Sequence, residues 1–250
     1  MNTDLYNYVL RQADNAMVLC QRLCQWVAKG PELEEDIALT NIGLDLIGQA
    51  RSLYQYAASL SDEDITEDDL VFMRDERDWT NVLLVEQPNG NFADTIARQY
   101  FYDVWHYLYL QQLVSSKDET LASIAAKSIK EARYHLRHSS TWVKRLGDGT
   151  ELSHQKMQAA IEEMWLYTPE LFDSDDLDLR MVDAEIGVDL MQVKENWEAH
   201  VSKTLEEATL IKPDEAFLMT GGRQGVHSQH MGYLLAEMQI LPRSMPGCEW

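Results

Sequence analysis

Chain-breaking residues are scarce here: 12 glycines and 6 prolines in 250 residues. That scarcity argues against a loop-rich or many-stranded fold, and no Gly-rich phosphate loop occurs. Cysteine is scarcer still, with only Cys20, Cys24 and Cys248. A sparse, odd count excludes a disulfide framework and points to a reducing compartment, the cytoplasm. Cys20 and Cys24 lie four apart without metal-ligand companions and read as small core residues. Positive charge is also short: 21 Lys and Arg face 42 Asp and Glu, a net charge of −21. Such a chain is a poor match for nucleic acid or an anionic membrane surface. The acidity serves solubility on the plain reading and a basic partner on the sharper one. Long apolar runs are missing as well, so no membrane span is expected. The opening "MNTDLYNYVLRQADNAMVL" has neither the cationic start nor the apolar run of a signal peptide.

What is present is helical rhythm. Leu5, Val9, Ala13, Ala16, Cys20, Leu23 and Val27 mark a first amphipathic helix ended by Gly30-Pro31. A second starts at Pro31 with acids in its first turn and runs to about residue 60. Residues 72–91 break the rhythm and close in a Pro-Asn-Gly turn. A third helix spans about 92–115 and a fourth about 119–146, ended by Gly147. Further helices are expected at about 150–166, 183–210 and 226–239. The fold class is therefore all-α: two pairs of long helices with a long crossover between the second and third. This is the plan of a ferritin-like four-helix bundle with extra carboxy-terminal helices, read as one domain over 1–250.

The second helix is apolar almost all round, through Ile37, Leu39, Ile42, Leu44, Leu46 and Ile47. It is expected to be buried on every side, in a core or against a partner. Its polar exceptions Asn41, Asp45 and Gln49 recur every fourth residue, and the fourth helix offers Glu131, His135 and His138. Asn41, Asp45, Gln49, Glu131 and His135 are thus read as a buried polar cluster, because buried polar groups need partners.

The functional alternative for that face is a di-iron centre. Helical di-iron sites use several carboxylates together with Glu-x-x-His, so that both ligands project from one side of the helix. Here Ala132, not a glutamate, stands three residues before His135, and Glu131 is one place too far back. The first helix has Asp14 as its only interior carboxylate, the second has no histidine, and the third offers Asp103 and His106. No metal site of the chain's own is expected. One other stretch is distinctive: "RDERDW" sets Arg74, Arg77 and Trp79 together. These residues fit a contact to a phosphate-bearing ligand, by pairing and stacking. They fit better an internal salt-bridge cluster with Asp75, Glu76 and Asp78 that pins the crossover.

At these residues the chain resembles a known family. "EEDIALTNIGLDLIGQARSLYQYA", "RDERDWTNVLLVEQPNGNFADTIARQ" and "KEARYHLRHSSTWVKRLGDGTELSH" are similar to the C-subunit family of the bacterial phenylacetyl-CoA epoxidases. The likeness runs from "LYNYVLRQADNA" to the terminal "PGCEW". It implies a ferritin-like companion of an iron-bearing A subunit, with a small B subunit, in a complex that epoxidises the ring of phenylacetyl-CoA. The cofactors it implies lie elsewhere: di-iron in the A subunit, FAD and [2Fe-2S] in an NADPH-dependent reductase subunit. Laid on the active sister's pattern, two glutamate positions fall on Leu46 and Ala132 and a histidine position on Gln49, while His135 survives. The resemblance therefore implies a degenerate site and a structural role, and on the binding reading Arg74, Arg77 and Trp79 would meet the CoA tail or a partner. The alternative is a ferritin-like protein with its own di-iron oxidase or iron-storage site.

Overall fold

The computed structural model describes residues 3–214 and 219–248; Glu249 and Trp250, the end of the terminal string quoted above, lie outside them. The described residues are helical, without a strand, in the order α1 (Thr3–Cys24), α2 (Leu33–Leu60), α3 (Glu67–Phe72), α4 (Leu83–Glu86), α5 (Phe92–Leu113), α6 (Glu119–Gly147), α7 (Glu151–Trp165), α8 (Asp176–Asp183), α9 (Leu190–Glu207) and α10 (Met231–Ser244). This is the all-α order expected of a ferritin-like plan, with the crossover between α2 and α5. Among the described residues no helix is long and apolar enough to cross a membrane. The chain divides into two compact units, one formed by residues 1–87 and 221–250, the other by 88–220.

In the first unit α1 and α2 pair along their lengths. Leu39, Ile42, Leu46 and Leu53 of α2 are buried, as are Val9, Ala13, Ala16 and Leu23 of α1. The crossover is fastened to α1 by polar side chains. Asn15 Oδ1 accepts from the Val82 amide at 2.9 Å, and Arg22 donates through Nε to the Glu86 carbonyl at 3.0 Å. Thr66 opens α3 with a capping box closed by Asp69, so the acidic run 62–69 supplies a cap as well as charge.

In the second unit α5 pairs with α6, and α7 and α9 also pack on α5. Phe101, Trp165 and Trp197 stack with ring centroids 5.6 Å apart, and the Trp197 indole donates to the Phe101 carbonyl at 3.0 Å. That bond satisfies the polar atom of a fully buried ring. Acidic and amide residues again start the helices: Asn91 for α5, Asp118 for α6, Asp175 for α8 and Asp189 for α9. Much of the chain's acidity is spent in such first turns, where the helix dipole favours it.

Two expected elements differ. The helix expected over 183–210 begins only at Leu190, and a separate α8 stands before it, because Glu185 takes a left-handed φ of 57° and Gly187 packs where a Cβ would lie 2.7 Å from Met181 Cβ. The last helix begins at Met231, not 226, since residues 226–230 form an anchored turn, and it continues past Pro242 to Ser244.

Candidate functional site

The residues that sequence assigns to one buried polar cluster have different surroundings. Gln49 and His135 are buried, Asp45 and Glu131 are half-buried, and Asn41 is exposed. Asn41 is thus a correction, and helical geometry explains it. A spacing of four turns a residue about 40° around the axis, so the line from 41 to 49 rotates about 80° from solvent into the core. Within this chain α2 is buried along one side and not all round. Leu33, Ile37, Leu44 and Ile47 are exposed by 72, 51, 61 and 43%. They form one apolar face on the side opposite Leu39, Ile42 and Leu46.

Leu46 and Ala132 are fully buried aliphatic positions, in the first and second unit respectively. The polar interior of the second unit is built instead around α5 and α6. Asp103 and His106, one turn apart on α5, are buried, together with Gln99, His135 and Ser139. Gln99 Nε2 donates to Asp103 Oδ1 at 2.7 Å. Burial raises the Asp103 carboxyl to about 6, against the opposing pull of His135, Ser139 and Gln99. Burial, with His135 adding to it, lowers His106 to about 3, so its imidazole is neutral at ordinary pH.

This donor set does not fit a di-iron centre. Two such irons require several carboxylates to offset their charge. The α5–α6 interior supplies one, Asp103, whose carboxyl burial raises. Among the described residues no group of three or more His, Cys, Asp or Glu could hold a metal ion. Asp14, the one interior carboxylate expected on the first helix, is consumed by other partners. It accepts from Tyr54 Oη at 2.7 Å, from the Thr80 amide at 2.9 Å and hydroxyl at 3.1 Å, and pairs with both terminal nitrogens of Arg74.

That pairing also locates the "RDERDW" residues. Trp79 is fully buried, and the Arg74 guanidinium lies 4.4 Å from its ring centroid. Arg74 is held by buried Asp14, not by the neighbouring Asp75, Glu76 and Asp78 carboxylates of the expected cluster; from Asp78 it takes only the carbonyl, at 2.9 Å. Asp75 pairs instead with Arg243 at 3.0 Å. Arg77 alone of the three is exposed.

A second buried acid carries no signal in the sequence. Glu86 accepts from the Ser228 amide at 3.2 Å and hydroxyl at 3.1 Å, and faces His227 Nδ1 at 3.3 Å. His227 Nε2 lies 3.0 Å from the Trp79 carbonyl, which fixes a proton on that nitrogen. Burial raises the Glu86 carboxyl, while Glu86 itself raises His227 against its burial. "HS" after a glycine turn is no motif that would reveal such an anchor.

Comparison with known proteins gives a consistent picture. A family model described as "Phenylacetic acid catabolic protein" matches residues 1–250. The chain is 55% identical over 243 residues to the C subunit of the 1,2-phenylacetyl-CoA epoxidase of Escherichia coli (strain K12); the match covers 97% of this chain and 98% of that one.

Proposed function

This chain belongs to the phenylacetic acid catabolic protein family, and we propose that it acts there as the non-catalytic structural subunit of a phenylacetyl-CoA epoxidase. It supports the di-iron A subunit, beside a small B subunit, in a cytoplasmic complex that draws electrons from NADPH through a FAD and [2Fe-2S] reductase. The phenylacetyl-CoA is substrate of the complex, and the chain has no active site of its own.

The observation that carries this reading is the pairing of a filled interior with an uncovered apolar face. Where a sister subunit would place glutamates, Leu46 and Ala132 are packed into the core. On the other side of α2, Leu33, Ile37, Leu44 and Ile47 present branched side chains to solvent. Such a face is characteristic of a surface that a partner covers. A rigid helix under it holds the partner's ligands in place, and small displacements of metal ligands are costly to oxygen chemistry. Arg77 remains the residue for a contact to the CoA tail, since Arg74 and Trp79 are engaged inside the first unit.

The test is to express the iron subunit with and without this chain. The reading expects the iron subunit alone to be poorly soluble or inactive, and both properties to return on co-expression. Full activity of the iron subunit by itself would sink it.

A further inference from the structure

Two of the three thiols face each other at the end of α1. Cys20 Sγ and Cys24 Sγ are 3.9 Å apart, with Cys20 buried and Cys24 exposed. On the neighbouring helix Gly43 lies against the pair; a Cβ there would stand 3.9 Å from Cys24 Sγ, so no side chain at that residue covers the sulfur.

Cys24 is also the last residue of α1. Beyond the pair the ladder tightens to three-residue steps: Gln25 to the Arg22 carbonyl at 3.3 Å, Trp26 to Leu23 at 2.9 Å, Val27 to Cys24 at 3.2 Å. Inside a helix, residues four apart have Cα atoms about 6 Å from one another, within what a disulfide spans, so the gap to close is the one between the sulfurs. A terminal residue can close the remaining gap by unwinding one turn, which an interior residue cannot.

The two sulfurs are unequal. A hydrogen bond from Cys20 holds the Cys24 thiol down to about 7, while that bond and burial hold the Cys20 thiol up. Exposure leaves Cys24 the sulfur that a solute can reach, with buried Cys20 beside it to resolve the product.

We propose that Cys20 and Cys24 form a redox-active dithiol that reduces hydroperoxides, with Cys24 the attacking sulfur and Cys20 the resolving one. Cys24 thiolate attacks the terminal oxygen of ROOH; an S–O bond forms, the O–O bond breaks, and the departing alkoxide leaves as ROH with the proton that Cys24 gave up on ionising. Cys24 is now a sulfenic acid, two electrons more oxidised. Cys20 sulfur then attacks Cys24 sulfur; the S–S bond forms, the S–O bond breaks, and the hydroxide leaves as water with the Cys20 proton. Two thiols and one hydroperoxide become a disulfide, an alcohol and water. An external dithiol returns the pair to its starting state.

The full chain is treated with equimolar hydrogen peroxide and read by intact mass, peptide mapping and thiol alkylation. The proposal expects the loss of two hydrogens, a linked Cys20–Cys24 peptide, Cys248 still alkylatable, and reversal by dithiothreitol. Cys20→Ser traps a sulfenic acid at Cys24 that dimedone labels, and Cys24→Ser leaves Cys20 a free thiol. No linked peptide in the wild-type chain, sulfinic acid at Cys24 in its place, or a disulfide made only through Cys248 between two chains overturns the proposal. The linked peptide is read on the wild-type chain, so the test holds even where a serine variant fails to fold.

Discussion

Arg74 and Asp14, sixty residues apart in sequence, close a buried ion pair in which the carboxylate is fully enclosed and the guanidinium also covers the Trp79 ring. It joins the crossover to α1, and its value lies in the geometry around it. Tyr54 and Thr80 take up the remaining lone pairs of Asp14, so neither charge is left without a partner in a low-dielectric setting.

Removing one member should therefore cost more than removing both. Asp14→Leu strands a buried guanidinium and is expected to lose about 3–5 kcal/mol. Asp14→Leu combined with Arg74→Met should lose less than the two single changes summed. Urea unfolding of the four chains checks this, and strictly additive losses would count against the pair.

Asp103 and His106 predict an unusual pH response. The Asp103 carboxyl is raised from 3.8 to about 6, so its contribution to stability is present below 3.8 and lost as the pH rises toward 6. His106 is lowered from 6.5 to about 3, so its contribution is present above 6.5 and lost as the pH falls toward 3. Between pH values of roughly 4 and 6 the two slopes oppose each other, each about 1.4 kcal/mol per pH unit. Asp103→Asn should leave a chain that weakens on acidification, relative to wild type. His106→Gln should leave one that weakens as the pH rises from 3.8. Denaturation midpoints across this range, compared with wild type, give the sign directly.

Placing carboxylates at Leu46 and Ala132 should not create a metal site. Leu46→Glu and Ala132→Glu each place an acid at a fully buried position. Each is expected to lower stability by about 2–4 kcal/mol without raising iron content, because burying a charge without a partner is costly. Calorimetry and metal analysis of the two variants check both halves of the expectation.

How much of this is legible in the sequence depends on the interaction that decides each feature. The long helices are readable because Pro31, the Pro-Asn-Gly turn at 88–90 and Gly147 punctuate a strong three-and-four apolar rhythm. The gap between α8 and α9 is not, since Glu185 gives no local sign that it will adopt a positive φ. Ala132 can be read from the Glu-x-x-His spacing before His135, whereas Leu46 is singled out only by the family resemblance. Asn41 cannot be placed that way, because a four-residue spacing looks like a straight line in sequence and is a spiral on the helix. The anchors on Asp14 and Glu86 join residues 60 and more than 140 positions apart. Such pairings have no periodicity and emerge only from the folded chain.

The exposed side of α2 offers a separation of stability from assembly. Leu44→Glu and Ile47→Glu lie on solvent-facing positions and should change the stability of the isolated chain by less than about 0.5 kcal/mol. On the scaffold reading they should weaken association with the iron subunit at least tenfold, which is about 1.4 kcal/mol. Co-purification and a binding titration distinguish the two effects; unaltered binding would remove this face from the interface.

The most direct measurement is iron content by mass spectrometry, on the chain purified alone and after co-expression with the iron-bearing subunit. The account predicts negligible iron on the isolated chain, and iron in the complex at an amount matched to the partner. About two iron atoms per isolated chain, the occupancy of a di-iron centre, would contradict it.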